Sequence, residues 1–197
     1  MACPSDHPSH VEIRPARRED APGIARLYNA GIRERRSTFE TRERELGEIE
    51  AWIGDPLPLL VASAAGRVVG YARVARYSPR AAYDGVGEHS VYVDVELRGR
   101  GIARRLLDAV AATAERQGLH KLCSRIFTDN APSRRAHLAA GFTEIGVHRR
   151  HAQLDGAWKD CVVVERLLGP AAHAGVAATP PDASGSGGAG DPRRRSP

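Results

Sequence analysis

Lysine is nearly missing from this 197-residue chain: 27 of its 29 Lys and Arg residues are Arg, set against 24 Asp and Glu for a net charge of +5. Aromatic residues are scarce, only 5% of the whole, and they do not alternate with the basic ones. That argues against the aromatic-basic stripe of a nucleic-acid binder. Arginine is instead scattered beside acids, as in ETRERELGEIE, so no nucleic-acid partner is expected. Cysteine is scarce too. Cys3, Cys123 and Cys161 form no CxxC pair and leave one odd, which fits reduced thiols in a cytoplasmic setting better than a disulfide framework. No apolar run approaches the roughly 18 residues that span a bilayer, so no membrane partner is expected either. The N-terminal MACPSDHPSH lacks the basic and apolar regions of a secretory signal. Phosphate-binding motifs of the GxxxxGK type, and GxGxxG with an acid about 20 residues on, are also missing.

What is present is concentrated between the ends. Residues 1–10, and 170–197 with their Pro, Gly, Ala and Ser, cannot bury enough surface to offset ordering entropy and are expected to be disordered. Residues 11–169 form one folded unit, since about 150 residues already bury roughly two thirds of their unfolded surface. Its periodicity alternates. Val11 to Arg14 reads as a strand; Asp20 and Pro22 open a helix with Ile24, Leu27, Tyr28 and Ile32 on one face. Thr41 is a candidate cap for a second helix bearing Leu46, Ile49, Trp52 and Ile53. LLVASA and VVGYARVARY read as a hairpin, EHSVYVDV as a further strand, and Ile102, Leu106, Leu107, Val110 and Ala114 as a long helix stopped at Gly118. KLCSRIF, a helix from Asn130 to Ala140, then FTEIGVHRR and KDCVVVERLL complete the order βααβββαβαββ, a mixed α/β sheet in one domain.

The strand VYVDVEL runs into Arg98-Gly99-Arg100-Gly101-Ile102-Ala103-Arg104 at the mouth of the long helix. Small residues there expose successive backbone N–H groups at a helix N-terminus, a seat for a diphosphate. Arg98, Arg100 and Arg104 add possible charge-assisted bonds. These residues alone also fit an ordinary glycine loop with solvated arginines. Arg98-x-x-Gly101-x-Ala103 is, however, similar to the acetyl-CoA motif Q/R-x-x-G-x-G/A of the GCN5-related N-acetyltransferases (GNAT). Asn130-x-x-Ser133-x-x-x-His137-x-x-x-Gly141-Phe142 resembles the N-x-x-A-x-x-x-Y-x-x-x-G-F segment that lines the other side of the cofactor arm in that family. The element order also looks like the GNAT fold, α/β with a single mixed, mostly antiparallel sheet flanked by helices. AAYDGVGEHSVYV, STFET, His137 and GAWKD look like the phosphinothricin and arsinothricin N-acetyltransferase branch.

The resemblance implies acetyl-CoA as cosubstrate and, as acceptor, the α-amine of a glutamate-like analogue: phosphinothricin, arsinothricin or methionine sulfoximine. Glu88 is then the general base, sharing a strand face with Ser90 and Tyr92. Backbone N–H groups of Val91, Tyr92 and Val93 would hold the thioester carbonyl. His137 stands where many GNAT enzymes carry a Tyr that protonates the leaving thiolate, and it either donates a proton or positions the cofactor. Phe39, Arg73, Arg80 and Tyr83 would bind the acceptor, Arg offering bidentate recognition of an acidic group. The residues themselves leave plainer readings open: Glu88 in a surface ion pair, His137 in the core, each Arg solvated. Cys123, mid-strand, reads as an inert buried thiol, so direct transfer is expected. No metal is expected, because His148 and His151 should point to opposite faces of a strand. A homodimer is implied by family likeness. Another small amine or a peptide N-terminus is the alternative acceptor, and a non-catalytic basic module the remaining one.

Overall fold

A computed structural model describes residues 11–173; the expected disorder of 1–10 and of most of 170–197 concerns residues outside those described. Strand β1 (Glu12–Pro15) is followed by helices α1 (Ala21–Glu34) and α2 (Leu46–Ile53), strands β2 (Leu59–Ala64), β3 (Arg67–Arg76) and β4 (Val86–Val93), helix α3 (Ile102–Arg116), strand β5 (Lys121–Phe127), helix α4 (Ala131–Ala139), and strands β6 (Thr143–Leu154) and β7 (Ala157–Leu167). The order read from the sequence is therefore found. A single turn of helix, α5 (Pro170–His173), extends the fold four residues into the segment expected to be disordered.

The seven strands form one sheet in the order β1-β2-β3-β4-β5-β7-β6. Only β4 and β5 run parallel, because the α3 crossover between them returns the chain in the same direction. Strand β2 is buried on both faces, and its alternation divides the core. Leu60, Ala62 and Ala64 pack with α3 through Ile102, Leu106, Leu107 and Val110. Leu59 and Val61 pack with Ile24 and Leu27 of α1 and Ile49 of α2. Leu106 and Leu107 are fully buried, each contributing about 1.5–3 kcal/mol of transfer free energy. Helix α2 starts later than its candidate cap Thr41: Glu45 caps it, with Glu48 reaching back in a capping box.

Two departures from regularity shape the site. Strand β4 pairs with β5 only from Val86 to Glu88, after which the two strands separate. The Asp94 N–H donates to the Val69 carbonyl at 2.9 Å, so by alternation along this antiparallel ladder the N–H groups of Val91 and Val93 face the opening wedge. Buried Asp94 pins the strand end through Arg26 at 2.8 Å and Arg67 at 2.9 Å. In β6, the register against β7 shifts between His148 and Ala152, with Arg150 at φ 47°. The extra residues rotate the alternation and bring the His148 and His151 rings to 5.1 Å; the expectation that they face opposite ways does not hold. Both lysines are in ion pairs, Lys121 with Glu165 and Lys159 with Asp129.

Candidate active site

A cavity of roughly 790 Å³ opens where β4 leaves β5. Its floor is the alternating face of three strands: Arg73 and Ala75 of β3, Glu88, Ser90 and Tyr92 of β4, and Arg125 and Phe127 of β5. The loop after α1 supplies Phe39 as a wall. Its ring meets that of Phe127 edge-on at 4.8 Å. Tyr92 stacks on Tyr71 with centroids 5.3 Å apart and meets Tyr28 edge-on. Burial holds its hydroxyl pKa above the ordinary value. Gly31 on α1 is required for this packing, since a Cβ there would lie 2.5 Å from the Tyr92 ring.

Charge in the cavity is unevenly neutralised. Arg44 is held by Glu40 at 2.8 Å and Glu48 at 3.0 Å. Arg125 forms an ion pair with Glu88. Arg73 has no acidic partner among the described residues; its guanidinium lies 4.4 Å over the Trp52 ring, and its Nε is buried without a hydrogen bond. Burial lowers its pKa from the usual value. A desolvated cation facing a cavity with nothing to neutralise it is a site for an anion. The Cys123 thiol is buried and pushed up to about 11, chiefly by burial, which is the opposite of an activated nucleophile.

The proposed cofactor side lies along the wedge and the mouth of α3. Gly99 and Gly101 sit at φ 78° and 77°, a left-handed backbone that favours glycine. Gly101 caps α3 without a side-chain hydrogen bond, so the first N–H groups of α3, on Ile102, Ala103 and Arg104, lack helical partners and point outward. These donors, with the free Val91 and Val93 N–H groups, fit a ligand carrying a diphosphate at one end and amide groups along its arm. The arginines are less available than the sequence suggests: Arg98 donates to Glu34 at 2.8 Å and to the Val93 carbonyl at 3.2 Å, and Arg104 lies 3.7 Å from Asp108. Arg100 is exposed and unpaired among the described residues. Asn130 caps α4, accepting from the Ser133 N–H at 3.2 Å and donating to the Arg36 carbonyl.

His137 is buried, 2% exposed, and both its nitrogens are engaged. Nδ1 donates to the Ser133 carbonyl at 2.8 Å, leaving Nε2 to accept from Nε2 of His89 at 3.0 Å. In this arrangement His137 has no N–H to offer a leaving thiolate. Burial lowers both pKa values, that of His89 to about 3, so the pair is neutral near neutral pH. Arg80 lines neither cavity. Tyr83 lines a smaller neighbouring one of roughly 190 Å³ that shares Glu88 and Arg125 with the first. The sequence reading missed Arg125, His89, Trp52 and His151. Arg125 was within reach of it, lying at period two from Cys123 and Phe127.

A wedge with outward-facing N–H groups thus lies ahead of the glycine mouth of α3, and the Acetyltransferase (GNAT) family profile matches residues 24–142. The chain belongs to this family. A curated relative, the L-methionine sulfoximine/L-methionine sulfone acetyltransferase of Pseudomonas aeruginosa, is 35% identical over 81% of this chain and 96% of its own length. The phosphinothricin N-acetyltransferase of Alcaligenes faecalis is 32% identical over 79% and 82%. Among solved structures, the GNAT phosphinothricin acetyltransferase of Sinorhizobium meliloti in complex with AcCoA superposes with a TM-score of 0.77 at 26% identity, over 88% of this chain and 97% of that one. This GNAT chain is thus an N-acetyltransferase that uses acetyl-CoA.

Proposed function

We propose that the enzyme acetylates the α-amine of a small glutamate-like amino-acid analogue, of the phosphinothricin, arsinothricin or methionine sulfoximine type, and so detoxifies it. The observation that carries this reading is Arg73, a half-buried guanidinium without an acid, facing Glu88 across one cavity. An α-carboxylate on Arg73 leaves the neighbouring α-amine to Glu88, one strand away. An α-amine with pKa of about 8 is largely protonated at neutral pH. Glu88 takes that proton, directly or through a water, and the neutral nitrogen becomes nucleophilic. Bound acetyl-CoA supplies the thioester carbonyl, whose oxygen the Val91 and Val93 N–H groups are turned to receive. Direct transfer fits a site in which Cys123 is a poor nucleophile.

Phe39, Tyr92 and Trp52 wall the acceptor and exclude water, while Tyr83 borders it from the smaller cavity. Asn130 and Ser133 act through the cap of α4, and His137 serves as a positioning residue under β4. Arg80 has no part in the acceptor cavity in this arrangement. The protein is proposed to work in the cytoplasm as a homodimer. The experiment is a thiol-release assay with acetyl-CoA across phosphinothricin, arsinothricin, methionine sulfoximine, methionine sulfone, a polyamine and an N-terminal peptide. Preference for the amino-acid analogues is expected; turnover confined to the polyamine or peptide would overturn the assignment.

A further inference from the structure

Arg44, doubly paired with Glu40 and Glu48, and Arg125 are the cavity cations that the acceptor reading above leaves without a task, and of the two Arg125 is the one held by the proposed base. It lies on β5 on the same face as Glu88, and the Glu88 carboxylate occupies its guanidinium. Arg125 therefore borders the proposed base on one side, with Arg73 of β3 on the other. His151, carried into the cavity wall by the β6 bulge, stands close enough for Arg125 to depress its pKa after burial has done so. Its imidazole adds a neutral hydrogen-bonding group beside the cation.

We infer that Arg125 is the second anion site of the acceptor cavity and the residue that distinguishes acceptors with two acidic groups from those with one. The inference rests on the acceptor class proposed above. A zwitterion with a second anion exchanges ion pairs on docking. Its α-carboxylate meets Arg73, its γ-acid displaces the Glu88 carboxylate from Arg125, and Glu88 turns to the acceptor's ammonium. Each charge lost from one pair is regained in another, and the Glu88 carboxylate is freed to face the acceptor's nitrogen. An acceptor with a neutral γ-group leaves Arg125 with Glu88 and depends on Arg73 alone.

The test compares kcat/KM for phosphinothricin, whose phosphinate is anionic, with that for methionine sulfone, whose sulfone is neutral, in the wild type, R125Q and R125K. R125Q is expected to lose ~30-fold or more on phosphinothricin, the worth of a charge-assisted contact, mainly in KM. The ratio of kcat/KM for phosphinothricin over that for methionine sulfone should therefore fall ~10-fold or more, and R125K should recover part of that loss. An unchanged ratio of the two acceptors, or an equal fall on both, overturns the inference. Wild-type turnover of methionine sulfone without phosphinothricin overturns it while sparing the acceptor class. Turnover of neither removes the class and the inference together.

Discussion

Glu88 performs its proposed role beside an arginine, and this makes its contribution measurable. Glu88→Gln keeps the shape of the side chain and removes its basicity. Turnover should fall about 100-fold or more with acetyl-CoA affinity unchanged, as read by steady-state rates and calorimetric titration; undiminished turnover would remove the base assignment. The buried His89–His137 pair makes a different prediction. Both folded-state pKa values lie below the ordinary 6.5, that of His89 near 3. Below about pH 6.5 the unfolded chain therefore binds more protons, and stability falls as pH falls. For His89 the slope is about 1.4 kcal/mol per pH unit between those two values, and His137 adds to it in the same direction. H89F should flatten this dependence between about pH 7 and pH 5 in urea unfolding, and an unaltered slope would show that the pair does not titrate on unfolding. Neither this pair nor Glu88–Arg125 was legible in the sequence. Their partners lie 48 and 37 positions apart, and only the register of β4 against β5 and the seating of α4 bring them together. Glu88 itself was legible because the two-residue period of β4 fixes its face.

At the scale of elements, the mouth of α3 owes its donors to glycine backbone. Gly101→Val puts a β-branched side chain at φ 77°, which costs about 1–3 kcal/mol of strain or forces the turn to move. The acetyl-CoA KM should rise about tenfold or more while acceptor KM holds; equal effects on both would mean a general loss of folding. Element order was readable because each segment shows the period of its own structure. Leu106, Leu107 and Val110 spell a helix, and LLVASA between turn residues spells a buried strand. The β6 bulge escaped because no turn residue marks Arg150, and the register shift follows from pairing with β7. The ion pair of Arg98 escaped for a similar reason. Its motif position was plain, but its Glu34 partner sits on α1, a helix remote in sequence that the fold lays alongside.

For the molecule as a whole, the wedge between β4 and β5 is a seam that a ligand can close. A bound strand-like arm would satisfy the open edge and join the α3 half of the sheet to the β5–β7–β6 half. Acetyl-CoA at 100 times its dissociation constant should add about 2.7 kcal/mol of stability, raising Tm by about 5–10 °C for a domain of this size. Differential scanning fluorimetry reads this directly, and no shift at saturating ligand would argue against the wedge as the binding seam. The ion pairs of the two lysines have a consequence of another kind. An enzyme that places acetyl groups on amines carries side-chain amines at Lys121 and Lys159 only, each a charged ammonium paired to a carboxylate. Arginine, whose guanidinium stays protonated and does not accept acyl groups under these conditions, supplies the rest of the positive charge. The chain thus offers its own chemistry almost no self-acetylation sites, and amine-reactive labelling of its side chains should be confined to the β5 start and the β7 start.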